Sequence, residues 1–249
     1  MSDFAAIEYA PLDVLKAVAQ GLWIVDGPAI RFGLGGLKVP FPTRMTLIRM
    51  RNSDLLVHSP TRLVAALKDA VAAIGRVRWL IGPNRLHYSW LAEWKAAFPA
   101  ADVYLAPGVR DQVRKPMDFP CLELAASDRY PWDGEVRTCA IESRFLTEVD
   151  FFHLASRTLV LTDLIENFEA IKLATWPMQL IARVGGVLDP HGSMPKDMRL
   201  SFRKQRRELR AAVETMISWG PDRIIIAHGR WYQQDGVKEL ERAFRWLLS

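Results

Sequence analysis

The sequence predicts an α/β fold in which two mixed β-sheets pack face to face with helices on their outer faces. Two observations predict it. The first half of the chain reads as mostly antiparallel strands with helices inserted, and the second half repeats that mix, which suits a two-sheet sandwich better than one purely parallel sheet. Two buried-strand patterns also end in a single chemical residue. Leu159-Val160-Leu161-Thr162 runs into Asp163, and Ile224-Ile225-Ile226-Ala227 runs into His228-Gly229. Open α/β sheets build their sites at such strand ends.

The elements follow in order. Leu12 to Val18 is a short amphipathic lead-in, and residues 21–27 read as a first strand. The glycine-rich stretch 31–36 lacks the strand-to-helix setting of a dinucleotide loop, and Pro40 and Pro42 forbid a helix behind it, so it reads as a plain loop. Residues 44–50 and 55–58 flank Asn52-Ser53-Asp54 and form a hairpin. Ser59-Pro60-Thr61 caps a helix with Leu63, Val64, Leu67, Val71 and Ile74 at helical spacing, closed by Gly75. Strand 77–81, a loop, a helix over about 88–98 and strand 103–105 make a βαβ unit that leaves His87 just beyond a strand.

Residues 107–135 are irregular. Strands at about 136–141 and 145–153 precede the Asp163 strand. The pattern then predicts a helix over 168–181, a loop over 185–192, a long basic helix over 196–219, the His228 strand and a last helix over 237–248. Without repeats or a linker, the whole of 1–249 reads as one domain.

Composition narrows the function classes. Half of the 249 residues are hydrophobic and the net charge is +5. The longest apolar runs are of strand length, so no membrane span is expected. The acidic start, Met1-Ser2-Asp3-Phe4, lacks the features of a signal peptide, and a cytoplasmic location is expected. Cys121 and Cys139 match no zinc-ligand spacing and read as core thiols. The basic run 199–210 reads as a solvated helix face, and no groove-reading motif accompanies it, which argues against nucleic acid. No serine sits in a Gly-x-Ser-x-Gly elbow.

Five histidines remain, at 58, 87, 153, 191 and 228. His87 and His228 share with Asp163 a place after a buried strand. Two imidazoles and one carboxylate with open positions suit zinc, iron or manganese, which acidifies a bound water. His87, Asp163 and His228 are therefore the candidate ligands of one divalent metal, with Asp163 and His228 in the catalytic role. His58, His153 and His191 are expected outside the site. The other reading of these residues is structural: Asp163 caps a turn, and the histidines pack at strand ends.

This order of strand, loop, helix closed by Phe98-Pro99, strand with Asp163 and strand with His228-Gly229 resembles the metallo-β-lactamase-like hydrolase superfamily over about residues 44–232. Arg44-Met45-Thr46, Val57-His58-Ser59-Pro60, Pro83-Asn84 and Ser156-Arg157-Thr158-Leu159 resemble a degenerate branch of it. The resemblance implies an αββα sandwich. It places His87 on the last histidine of a His-x-His-x-Asp-His motif, with Leu86 on its aspartate, Asn84 on its second histidine and Gly82 on its first. A further histidine of the family is replaced near Ser143 or Arg144. One of the two family metal sites is thereby lost, and the other keeps His87, Asp163 and His228.

Two function classes follow. One is a mononuclear metal-dependent hydrolase of a small anionic molecule, with Asn84, Arg85 and Arg230 beside the site as substrate contacts. The other is a non-catalytic relic of the fold that has lost its metal and binds a ligand or partner.

Overall fold

The computed structural model describes residues 7–32, 39–112, 117–124 and 129–249. Eleven strands in these segments form two sheets. The first sheet has seven strands in sequence order: β1 (Lys16–Ala19), β2 (Leu22–Phe32), β3 (Val39–Arg49), β4 (Asp54–His58), β5 (Arg76–Gly82), β6 (Asp102–Leu105) and β7 (Leu122–Glu123). Its first four strands are antiparallel, and β4 to β7 run parallel. The second sheet contains β8 (Val136–Glu142), β9 (Thr147–His153), β10 (Thr158–Val160) and β11 (Arg223–Ile225), with antiparallel β8–β9–β10 and a parallel β10–β11 pair. Both sheets are mixed, as the sequence predicts.

Strand alternation divides the apolar residues between two cores. Phe151, Val160 and Ile225 join Leu47, Val57 and Ile81 of the first sheet in one core. Their chain neighbours Phe152, Leu159 and Ile224 face the other way, into a core shared with helices. The helices there are α6 (Arg206–Ser218) and α7 (Gly236–Ala243), which contribute Leu209, Val213, Met216 and Leu240. Burial of each such side chain contributes about 1.5–3 kcal/mol before entropy is counted. Helices α1 (Ala65–Ile74) and α2 (Leu91–Ala97) bury Leu67, Val71, Leu91 and Trp94 in the first core.

Several boundaries differ from expectation. The strand expected over 44–50 begins at Val39 and includes Pro40 and Pro42. β4 pairs only with 46–49, so the proline-bearing part of β3 has just β2 beside it and no second ladder to break. Of the glycine-rich stretch 31–36, residues 33–36 lie outside the described residues, and Arg31 and Phe32 end β2. Ser59 does not cap α1: Val64 stands at its N-terminus without a side-chain cap, and Ser59 adopts φ +54° and turns to His87.

The helix expected over 168–181 is a 3₁₀ turn (Ala170–Lys172) followed by α4 (Trp176–Gly185). Pro177 fits only a first helical turn, so the helix begins there, and Gly186 ends it in a left-handed cap. The basic helix expected over 196–219 breaks into α5 (Lys196–Ser201) and α6, because buried Phe202 turns inward between them. A short α3 (Val109–Gln112) lies in the irregular region, and α8 (Arg245–Leu248) follows α7 as a separate turn. Among the described residues no helix is long and apolar enough to cross a membrane. Both cysteines are free and half-buried.

Candidate metal centre

The parallel β10–β11 pair sets Val160 opposite Ile225. Asp163 and His228 each follow three residues later, so they leave the same sheet edge side by side. Local contacts hold both loops. Glu148 on β9 accepts the backbone N–H of Thr162 (2.7 Å) and of Asp163 (3.0 Å). Arg44, buried in the first sheet, is paired with Asp26 and donates to the carbonyls of Ile226 (2.7 Å) and Gly229 (2.9 Å). It thereby ties the His228 turn to the opposite sheet. Gly229 has φ +97°, and a Cβ there would lie 2.1 Å from the Asn167 carbonyl oxygen. Only glycine tolerates that approach.

His87 arrives from the first sheet, in the turn after β5. Its Nε2 lies 3.3 Å from Asp163 Oδ2, and His228 Nε2 lies 3.1 Å from Asp163 Oδ1. Ligand atoms from His87, Asp163 and His228 all lie within 4.8 Å of one another. The remaining ring nitrogens are anchored. His228 Nδ1 faces the Pro42 carbonyl at 2.8 Å and donates to it; His87 Nδ1 pairs with the Ser59 hydroxyl at 2.7 Å. Anchoring the distal nitrogen of an imidazole is the usual support for a metal-ligating histidine. Three protein ligands that leave a position open are also the donor set of catalytic zinc and of two-histidine, one-carboxylate iron. These residues fit one divalent ion.

The charges of the site follow from this geometry. Burial raises the Asp163 carboxyl, but the charge and hydrogen bonds of His87 and His228 outweigh it and hold the group well below the usual carboxylate range. Burial lowers His228, yet hydrogen bonding and charge from Asp163, with Glu166 and the Pro42 carbonyl, raise it overall. Burial and the Asp163 charge push Glu148 up. Burial pushes Glu166 up to about 8, with the negative charges of Asp163 and Asp197 adding to it against His228.

The other site expectations fare differently. Asn84 was expected to touch a substrate, but it is fully buried under the site. Its amide donates to Asp163 Oδ2 (2.6 Å), Thr162 Oγ1 (2.9 Å) and Glu148 (3.2 Å), and its oxygen accepts from the N–H of Leu86 and His87. It is a positioning residue because no polar atom is left for a substrate. Arg85 donates to the Phe145 carbonyl and covers the Phe145 ring at 4.2 Å. Arg230 is 61% exposed and faces Asp189. Neither arginine lines the cavity described below. His58 packs edge-on against Phe151, and burial with the nearby His87 charge lowers it to about 3. His153 pairs with Ser156.

Glu148 and Glu166 were not singled out from the sequence. Glu148 sits in an apolar-flanked strand with no local mark of its role. Glu166 lies three residues past Asp163, the one signal that would have found it. His87, Asp163, His228 and Glu166 line a cavity of about 850 Å³ whose other walls are largely apolar.

Solved structures share this architecture. A metallo-β-lactamase from Hirschia baltica is 12% identical, with 94% of this chain and 97% of that one aligned and a TM-score of 0.55. The metallo-β-lactamase FIM-1 from Pseudomonas aeruginosa, in its mono-zinc form, is 10% identical, with 95% and 96% aligned and a TM-score of 0.54. The chemotaxis sensor ODP, solved as a peroxy diiron species, is 14% identical, with 95% and 94% aligned and a TM-score of 0.55. At such identities the likeness establishes the fold, an αββα sandwich of the metallo-β-lactamase type. No curated protein matches the sequence. A family model described as a domain of unknown function, DUF4336, matches residues 22–180.

Proposed function

We propose a function for this chain as a member of the DUF4336 family, to which it belongs: a mononuclear metal-dependent hydrolase centred on His87, Asp163 and His228. The observation that carries this reading is the meeting of three ligand atoms from separate strand ends, within 4.8 Å, on the wall of a cavity. Zinc, iron or manganese bound there would supply Lewis acidity and acidify a water.

The chain's own groups do the rest. The Ser59 hydroxyl and Pro42 carbonyl orient the two imidazoles, and Asn84 holds the carboxylate. The Glu166 carboxyl keeps its proton near neutral pH and faces the same cavity, so it can donate that proton to a leaving group. Apolar walls exclude bulk water and strengthen each of these electrostatic contacts. Arg85 and Arg230, expected to hold a small anionic substrate, do not line the cavity.

One observation favours a second reading. The alkyl side chain of Leu86 lines the cavity where the resembled motif carries an aspartate. A site without that ligand suits a non-catalytic protein that binds its ligand without metal.

Elemental analysis of protein purified without a histidine tag separates the two. About one equivalent of zinc, iron or manganese, lost in both Asp163→Ala and His228→Ala, supports the metal centre and justifies a hydrolase screen. A wild-type protein that takes up no metal after reconstitution leaves the binding-protein reading.

A further inference from the structure

The cavity is built for something other than a small polar molecule. Its volume of about 850 Å³ falls within the roughly 300–1,000 Å³ typical of small-ligand sites. Val39, Phe41, Trp90, Phe168 and Val187 form much of its wall. His87, Asp163 and His228, all buried or nearly so, form part of the wall. The wall also includes Leu180, Ile181 and Val184 of α4, which are 50%, 56% and 62% exposed.

That helix is unusual. Ala182 is its only fully buried residue, while Trp176 is 74% exposed and Ile171, in the turn before it, 91% exposed. A contiguous exposed apolar surface marks a binding site more often than chance. Here it is continuous with an internal cavity whose lining is mostly apolar and includes the three residues of the metal centre. An occupant must therefore be largely apolar, and its reactive group must reach the His87–Asp163–His228 centre. Lys196 and Asp197, on α5, are charged members of the wall.

We propose that the cavity takes a long, unbranched acyl chain, with the chain against α4 and the carbonyl end at the His87–Asp163–His228 centre. The inference rests on the proposed function only for which end of the ligand reacts. Seating of the chain depends on the apolar wall alone. Fatty acids are the products that hydrolysis of acyl esters or amides would leave, and they serve as probes.

Calorimetric titration of the wild-type protein with hexanoate, octanoate, decanoate and laurate, each kept below its micellar concentration, tests this. Metal-loaded and chelator-treated samples are compared. Affinity should rise about 4-fold per added methylene, the equivalent of ~0.8 kcal/mol, and level off once the cavity is filled. Val184→Asp and Ile181→Asp, at exposed positions that leave the fold intact by circular dichroism, should weaken laurate at least 10-fold and hexanoate little. Affinity that does not change with chain length overturns the inference. So does a dimer, seen by light scattering, that Val184→Asp dissociates and that binds no laurate.

The two readings fail separately. A protein that holds one metal but binds no fatty acid retains its centre and loses the acyl site. One that shows the chain-length series in chelated and unchelated samples, and never takes up metal, retains the acyl site and loses the hydrolase.

Discussion

Asn84 Nδ2 lies 2.6 Å from Asp163 Oδ2, across the gap between the two sheets, and the same amide reaches Glu148. One neutral side chain therefore separates two buried carboxyl groups and sets the orientation of the central one. Asn84→Ala should remove one buried donor from each, leaving Glu148 its bonds from the Thr162 and Asp163 N–H groups and Asp163 its two histidines, and cost about 1–3 kcal/mol. Chemical denaturation would read the loss, and metal affinity should fall 10- to 100-fold, as it does when supporting groups are removed from metal ligands.

Gly229→Ala should behave as a site mutation although it carries no functional group. The φ of +97° strains any other residue by roughly 1–3 kcal/mol, and the 2.1 Å approach to the Asn167 carbonyl forces the turn to move. His228 moves with it. Thermal melting should show a lower Tm, and metal analysis a loss of stoichiometry, whereas Gly134→Ala, with nothing near its added carbon, should change neither.

His58 makes the protein sensitive to acid. Its folded-state value of about 3 lies below the roughly 6.5 of an unfolded histidine. The unfolded chain thus binds a proton first as pH falls. Stability is fully present above about 6.5 and declines on the order of a few kcal/mol as pH drops toward 3. His58→Phe, which keeps the aromatic packing on Phe151, should flatten that part of the stability–pH curve without releasing metal.

Glu166 acts in the opposite direction. The folded group keeps its proton up to about 8, while an unfolded glutamate loses it near 4.3. The folded state binds more protons in that window, so its stability falls as pH rises through it. In chelator-treated protein, Glu166→Gln should remove this decline and raise the Tm at pH 9 relative to wild type. If Glu166 also donates a proton in catalysis, the same variant should lose the alkaline limb of a kcat–pH profile, a change that a purely structural role would not produce.

Much of the fold could be read along the chain because strands and helices are local patterns. The runs ending at Asp163 and His228-Gly229 carry their own burial signal, and the spacing of Leu209, Val213 and Met216 marks a helix face. Boundaries were less legible. Pro40 and Pro42 look like strand breakers, and only the absence of a second neighbour for that part of β3 makes them harmless. The break near Phe202 was hidden for a similar reason, because burial of one aromatic side chain outweighed the helical pattern around it.

By itself, the sequence determined which residues could hold a metal: few histidines follow buried strands, and Asp163 stands alone at the end of its own. Tertiary structure decided how they meet. The β10–β11 register places Asp163 beside His228, and stacking of the two sheets brings His87 to the same carboxylate. It also decided that Asn84 is a buried brace, that Arg85 and Arg230 turn away, and that the cavity is apolar. These outcomes depend on which distant side chains share a wall. That is set by three-dimensional packing and leaves no periodic trace in one chain.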